Sequence, residues 1–195
     1  MQSEQQLKNA EPEFVLDIED IRKRAREHLD KGAVTDDYQA VRKTIVKLLN
    51  DALATEIVCV LRYKRHAYMS ANQGGIAGFA ITKELAKHAS EEQMHADRLA
   101  ERIVQLGGEP DFDPASIIKR SHSQYVAGSS LREMITEDLV AERVAVEIYS
   151  KLIRYIGDKD ATTRRLLEEI LEQEEEHADE LSDFGARLKM SGDNK

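Results

Sequence analysis

A short sequence motif occurs twice in this chain, and it strongly limits the folds that the chain can adopt. Glu92 opens the first copy, Glu-Gln-Met-His-Ala-Asp, and Glu174 opens the second, Glu-Glu-Glu-His-Ala-Asp. A histidine, His95 or His177, follows each of these glutamates by three residues. Because residues three apart lie on the same face of an α-helix, each copy can direct one carboxylate and one imidazole toward the same point. The two copies therefore predict two helices that share one metal site.

The repetition continues upstream of both copies. Glu56 in the first half and Glu142 in the second are each followed, seven residues later, by a tyrosine, Tyr63 or Tyr149. Apolar residues flank these glutamates at the same spacing in both halves, namely Leu53, Val58 and Val60 in one and Leu139, Val144 and Val146 in the other. A duplicated helical hairpin accounts for this pattern. Each hairpin would carry one glutamate on its first helix and Glu-x-x-His on its second.

The rest of the sequence predicts an all-α fold built on a four-helix bundle. Long stretches of helical periodicity lie at about residues 36–70, 76–106, 129–156 and 160–189. The second and third helices are separated by a connection long enough to cross from one end of a bundle to the other. A short helix is also predicted near residues 17–31. The predicted organisation is an N-terminal extension at 1–35, the bundle at 36–190 and a tail at 191–195.

Charge and cysteine content exclude several classes of protein. The formal net charge is −9, which opposes general attraction to nucleic acid or to anionic membranes. No stretch approaches the roughly 18 consecutive apolar residues of a membrane span, so a cytoplasmic protein without membrane contact is expected. The single cysteine, Cys59, excludes an internal disulfide framework and a four-cysteine iron module. A metal bound here must use oxygen and nitrogen ligands.

The expected ligand set contains four carboxylates and two imidazoles. These groups suit iron or manganese, and four negative charges would balance two divalent cations. Without metal, four buried carboxylates would repel one another, so their pKa values should rise. The six candidate ligands, which are also the candidate catalytic residues, are Glu56, Glu92, His95, Glu142, Glu174 and His177.

These motifs resemble the ferritin-like di-iron carboxylate proteins, and most of all the bacterioferritins and the Dps-like ferritins. The likeness is most specific in the segment from Glu92 to Gly108. It implies that Glu56 and His95 are the terminal ligands of one iron, that Glu142 and His177 are those of the other, and that Glu92 and Glu174 bridge the two. Tyr63 and His66 match residues that lie close to the bacterioferritin centre.

The resemblance implies a ferroxidase that oxidises Fe(II) with O2 or H2O2 at two iron ions per subunit. The ferric mineral would be stored in a hollow homo-oligomeric shell. Manganese remains possible at the same ligands. The alternatives are a small di-metal redox enzyme of the rubrerythrin or manganese-catalase type, and a DNA-protecting protein of the Dps type. The missing four-cysteine module weakens the rubrerythrin alternative.

Two departures from the bacterioferritin pattern affect haem and assembly. Haem-binding bacterioferritins carry a methionine directly after the bridging glutamate, whereas this chain has Gln93 there and Met94 one residue later. Haem is therefore not expected. The chain ends eighteen residues after His177, which leaves little room for the fifth helix of 24-subunit shells. A shell of twelve subunits is favoured, with 24 as the alternative.

Structural or surface positions are expected for the basic run near the N-terminus, the cysteine, the two repeated tyrosines and three further histidines. The basic run Arg22-Lys23-Arg24 alternates with acidic residues, so a packing helix is favoured over DNA binding. Cys59 is expected to be a small buried hydrophobe. Tyr63 and Tyr149 are expected mainly as core residues with one hydrogen bond each. Surface or loop positions are expected for His28, His88 and His122.

Overall fold

The computed structural model describes residues 16–27, 29–35, 37–71 and 75–192, with the side chains of 30, 75–77 and 189–192 outside that description. All regular secondary structure in these residues is helical. The α-helices are α1 (Ile18–Arg24), α2 (Arg42–Ser70), α3 (Gly75–Gln105), α4 (Pro114–Arg120), α5 (Leu131–Ile156) and α6 (Ala161–Gly192). Single 3₁₀ turns lie at Leu29–Lys31 and Gly157–Lys159. The chain divides into two compact units, and the boundary falls between Asp37 and Tyr38.

The first unit contains α1, which is shorter than the sequence predicts. Asp17 caps its N-terminus by accepting a hydrogen bond from the backbone N–H of Asp20 at 2.9 Å. The helix ends at Arg24, and the residues up to 31 form only the 3₁₀ turn. None of the residues of α1 is buried. Because short helices without packing are marginal in water, the predicted helix at 17–31 extends too far. His28 lies outside the described residues.

The second unit contains the two predicted hairpins. Helix α2 packs chiefly against α3, and α5 packs chiefly against α6. Further contacts between α2 and α5 and between α3 and α6 join the hairpins into a four-helix bundle. Within the described residues, no helix is both long enough and apolar enough to span a membrane.

The first long helix begins at Arg42 rather than near residue 36. Tyr38 lies before the helix, and its hydroxyl donates to a carboxylate oxygen of Asp160 at 2.6 Å. Arg102 donates to the same carboxylate at 2.9 Å. This partly buried cluster holds the chain away from helical geometry before α2, which is a tertiary effect that helical periodicity does not report.

The ends of α3 and α5 follow from local sequence signals. Gly107, with φ of 72°, ends α3, and the N–H of Gly108 donates to the carbonyl of Ile103 at 2.9 Å. Glycine adopts this left-handed conformation without steric cost, which is why it commonly ends a helix. Ser130 caps α5 by accepting from the N–H of Glu133 at 3.2 Å. The predicted start of the third long helix near residues 129 and 130 is confirmed.

The connection between the hairpins contains α4, which the sequence analysis did not predict. Asp113 caps this helix and Pro114 occupies its first turn, a combination that favours helix initiation. Ile117 is the buried residue of α4, and it packs against Ala54 and Val58 of α2. The crossover is therefore a packed segment of the bundle.

A buried arginine fixes the last part of this connection. The guanidinium of Arg62 donates to Asp138 at 2.8 Å, to the hydroxyl of Ser123 at 2.9 Å and to the carbonyl of Gln124 at 3.0 Å. Arg62 and Asp138 are both fully buried. The ion pair joins α2 to α5 and ties both helices to the crossover.

Candidate metal centre

The four long helices bring all six predicted ligands together in the middle of the bundle. One glutamate comes from α2 and one from α5, while α3 and α6 each supply a glutamate and a histidine. Every one of these residues is at most 1% exposed. The ligands form two sets of four, and within each set the ligand atoms lie within 4.8 Å of one another. The sets are Glu56, Glu92, His95, Glu174 and Glu92, Glu142, Glu174, His177.

The two sets share Glu92 and Glu174, which face both histidines. The Nδ1 atom of His95 lies 3.1 Å from Oε1 of Glu174 and 3.9 Å from Oε2 of Glu92. The Nδ1 atom of His177 lies 3.3 Å from Oε1 of Glu92 and 3.8 Å from Oε2 of Glu174. The two remaining glutamates each belong to a single set. This arrangement has the geometry of two adjacent cation positions with two carboxylates between them.

The outer nitrogen of each histidine is held by the residue that precedes a shared glutamate. Nε2 of His95 lies 2.9 Å from the amide oxygen of Gln173, and Nε2 of His177 lies 3.0 Å from a carboxylate oxygen of Glu91. Since both partners are acceptors, each Nε2 carries a proton and each Nδ1 is left to face the centre. Glu91 and Gln173 were not predicted from the sequence, although both occupy the same position relative to the repeated motif.

Two tyrosines hold the unshared glutamates across the bundle. The hydroxyl of Tyr149 donates to Oε1 of Glu56 at 2.5 Å, and the hydroxyl of Tyr63 donates to Oε1 of Glu142. Each tyrosine therefore orients the glutamate of the opposite hairpin. Both tyrosines have the single hydrogen bond expected from the sequence. His66, the other candidate for this role, faces Asp138 and the crossover instead of the six ligands.

Eight buried ligand atoms without hydrogen-bond partners mark the interior of the centre. They are Oε2 of Glu56, both oxygens of Glu92, Nδ1 of His95, Oε2 of Glu142, both oxygens of Glu174 and Nδ1 of His177. An unpaired buried polar atom costs about 1–3 kcal/mol, so eight of them in one place need an explanation. A pair of divalent cations would satisfy all eight, because oxygen and imidazole nitrogen are suitable ligands for iron, manganese and zinc.

Burial and mutual repulsion shift the pKa values of the carboxyl groups. Burial, followed by the nearby Glu174 and Glu142, raises the pKa of Glu92 well above its ordinary value. Burial and neighbouring carboxylates likewise raise the pKa of Glu142 and of Glu174. Burial opposes the charge of Glu56 as well, but the close approach of His95 and Glu92 outweighs burial and lowers the pKa of Glu56.

The metal-free centre is therefore proton-rich. Burial also opposes the charge of His95, but the nearby carboxylates of Glu174 and Glu56 outweigh burial and raise the pKa of His95 to about 11. Cation binding must consequently displace protons from this histidine and from the shared carboxyls. The rise in carboxyl pKa expected from the sequence is confirmed for three of the four glutamates, and Glu56 is the exception.

His88 was expected on the surface or in a loop, and that prediction is wrong. Its ring is fully buried and stacks on the ring of His177 with centroids 4.1 Å apart. Nε2 of His88 lies 2.7 Å from a carboxylate oxygen of Glu180. The sequence did contain a signal, because His88 precedes Glu92 by four residues and so lies on the same face of α3.

Three further expectations concern residues outside the ligand sets. Cys59 is buried, and burial raises the pKa of its thiol well above the ordinary value, as expected for a small hydrophobic side chain. His122 is exposed. Met94 is 51% exposed, while Gln93 donates to Asp97 at 2.9 Å. Neither Gln93 nor Met94 therefore belongs to the six-residue centre.

Known proteins resemble this chain in sequence and in structure. The family described as a ferritin-like domain matches residues 46–191. Bacterioferritin from Desulfovibrio desulfuricans is 29% identical over 150 residues, which cover 76% of this chain and 78% of the relative. The crystal structure of that bacterioferritin, described with a di-iron site in different catalytic states, has a TM-score of 0.68 at 26% identity and covers 78% of this chain and 84% of the other.

A second solved structure is similar over slightly more of its own length. It is the dodecameric thioferritin of Bacteroides fragilis, described as a bacterioferritin-related protein. Its TM-score is 0.72 at 28% identity, and the match covers 78% of this chain and 92% of that one. The matched region includes a ferritin-like helical bundle.

Proposed function

Since this chain belongs to the ferritin family, as a protein with a ferritin-like domain, we propose that it is a ferroxidase that oxidises and stores iron. The observation that carries the proposal is the set of eight unpartnered ligand atoms, arranged around two positions that share Glu92 and Glu174. The bacterioferritin from Desulfovibrio desulfuricans, a relative of similar sequence and fold, is described with a di-iron site.

The proposed roles follow the two ligand sets. Glu56 and His95 hold one ferrous ion, and Glu142 and His177 hold the other. The carboxylates of Glu92 and Glu174 bridge the pair and keep the two ions adjacent. Four carboxylates neutralise the four positive charges of two divalent ions, so the bound centre is electrically balanced once its protons have left. Manganese could use the same ligands.

The reaction requires two electrons for each oxidant molecule. Two Fe(II) ions supply these electrons and become Fe(III). Dioxygen accepts the electrons together with two protons and becomes H2O2, while H2O2 in the same role becomes two water molecules. Holding both ions side by side avoids a one-electron product, and this positioning is the main contribution of the protein.

The surrounding side chains keep the ligands in place during this reaction. Tyr63 and Tyr149 leave only one oxygen of Glu142 and Glu56 free for iron. Gln173 and Glu91 fix the rings of His95 and His177 with Nδ1 facing inward. Such outer contacts typically change metal affinity or activity by about 10–100-fold when they are removed.

We also propose that the chain forms a homo-oligomeric shell of twelve subunits. The structurally similar thioferritin is described as dodecameric, which supports this number over 24. Haem binding and DNA binding are not part of the proposed function, and a cytoplasmic location stays a prediction. Native mass spectrometry would determine the subunit number, and a mass equal to 24 subunits would contradict the proposal.

Aerobic titration with Fe(II), combined with light scattering, tests the storage ferroxidase. We expect rapid oxidation of two Fe(II) per subunit, followed by uptake of many more into a large particle. The Glu92→Ala and Glu174→Ala variants should lose the rapid phase. The control variant Glu101→Gln, which alters an exposed carboxylate on α3, should retain it. A dimer that stops at two metals would favour a small di-metal enzyme. Unchanged oxidation in both alanine variants would refute the site.

A further inference from the structure

A second group of acidic side chains surrounds the ammonium group of Lys87. Its Nζ lies 3.0 Å from Glu84, 3.4 Å from Glu180 and 3.9 Å from Glu91. The first two carboxylates come from α3 and α6, on opposite hairpins. The side chain of Lys87 is 43% exposed, so this internal cation sits at the edge of the bundle. Three carboxylates that converge on one flexible ammonium form a favourable position for a positive ion.

His88 lies directly behind this position and adds a nitrogen ligand. Its Nε2 atom is 2.7 Å from Glu180 and 3.9 Å from Glu84. Its ring is fully buried, and Nε2 is the ring atom that faces both glutamates. A cation bound between them would take the place of the proton that Nε2 shares with Glu180.

Overlapping ligand sets connect this position with the centre. Glu84, His88 and Glu180 form one set, with ligand atoms within 4.8 Å of one another, and His88, Glu91 and His177 form another. His177 also belongs to the second ligand set of the centre. The side-chain exposure falls along the series, from 32% for Glu180 and 26% for Glu84 to 19% for Glu91 and 2% for His177.

We propose that Glu84, His88 and Glu180 form a third divalent-cation site, from which iron moves past Glu91 to the dinuclear centre. Two carboxylates and one imidazole suit Fe(II) and Zn(II) better than an alkali ion. The delivery role rests on the proposed ferroxidase function, whereas binding at the third site does not. Lys87 competes with the cation, because its ammonium group occupies the same carboxylates until a metal arrives.

Titration of the protein with Zn(II) under anaerobic conditions, measured by isothermal calorimetry, tests the third site. The assembled wild-type protein should bind one more Zn(II) per subunit than the double variant Glu84→Gln, Glu180→Gln. Glutamine keeps the size of the side chain and can still accept a hydrogen bond from His88, so folding should be preserved. Glu172→Gln, a change to an exposed carboxylate on α6, serves as the matched control and should bind as the wild type does.

Two further variants separate a metal site from a simple ion-pair cluster. Lys87→Met removes the competing ammonium and should tighten the extra Zn(II) by about threefold or more, the factor that corresponds to one exposed ion pair. Glu92→Gln weakens the dinuclear centre and should leave the extra Zn(II) in place. Anomalous diffraction at the zinc edge should place that ion between α3 and α6.

The results distinguish this inference from the proposed function. Equal Zn(II) counts in the wild type and the double variant, or no anomalous peak at Glu84, His88 and Glu180, would overturn the third site while leaving the ferroxidase untouched. A third Zn(II) in a protein that fails to oxidise iron would instead overturn the ferroxidase. If the double variant binds one Zn(II) less and also loads iron more slowly, the site and its delivery role are both supported.

Discussion

Neutralising a shared glutamate should stabilise the metal-free protein and reduce its stabilisation by metal. Glu92 is fully buried, belongs to both ligand sets and has two oxygens without partners. In the Glu92→Gln variant, a neutral amide replaces the carboxylate. The amide NH2 group can donate two hydrogen bonds to neighbouring carboxylate oxygens that lack partners. The folded state without metal should therefore gain free energy relative to the unfolded state.

The size of this gain follows from two independent estimates. The ligand atoms of a set lie within 4.8 Å of one another, and two carboxylates at that limit repel by about 3.5 kcal/mol at an effective dielectric constant of about 20. If the native state relieves the repulsion by binding a proton, the cost at pH 7 for a group with an ordinary pKa of 4.5 is about 3.4 kcal/mol. Allowing for relaxation, we expect Glu92→Gln to raise the free energy of unfolding by about 2–3 kcal/mol.

Urea unfolding followed by circular dichroism provides the assay, with a chelator present and with excess Zn(II). At equal protein concentration, Glu92→Gln should be the more stable protein in chelator and the less stabilised one in Zn(II). Glu101→Gln should match the wild type within about 0.5 kcal/mol in both conditions. A variant that is less stable than the wild type in chelator, or that keeps the full stabilisation by Zn(II), would refute the reasoning.

Three other changes test the surroundings of the centre. Burial and neighbouring carboxylates raise the pKa of Glu142 and Glu174, and the carboxylates beside His95 outweigh its burial and raise its pKa to about 11. Stability from a raised pKa is complete below the unfolded value and is lost as pH rises through the folded value, so the metal-free protein should unfold at lower urea at pH 9 than at pH 6. A midpoint that rises over this range would contradict these shifts. Tyr149→Phe removes the donor to Glu56 and should slow iron oxidation by about tenfold in stopped flow, and an unchanged rate would exclude an orienting role. Arg62→Met leaves a buried carboxylate without its main partner and should cost about 3–5 kcal/mol by urea unfolding, so a loss below 1 kcal/mol would be inconsistent with the buried ion pair.

The repeated motif contained most of the information about the bundle and its centre. Glu-x-x-His on a helix directs two ligands to one side, and its duplication beside two further glutamates leaves few arrangements other than facing hairpins. Local signals also placed the starts and ends of helices where the chain makes its own cap, as at Ser130 and Gly107. Those features depend on neighbours in sequence, which a single chain displays.

Features that depend on contacts between residues far apart in the chain were not predicted from the sequence. The late start of α2 depends on the contact between Tyr38 and Asp160, which are far apart in the chain. The burial of His88 depends on its stacking against His177 from another helix. Periodicity places His88 on the ligand face of α3, but only the neighbouring helix determines whether that part of the face is covered.

The two halves of the chain carry matching ligands but give them different surroundings. Nε2 of His95 meets the neutral amide of Gln173, while Nε2 of His177 meets the carboxylate of Glu91. A carboxylate partner makes an imidazole a stronger donor to metal than an amide does, so the position at His177 should hold its cation more tightly. His88 of α3 stacks on His177 and links this position to Glu180 at the edge of the bundle. The repeated motif therefore accounts for two cation positions, and the residues just outside it make those positions chemically unequal.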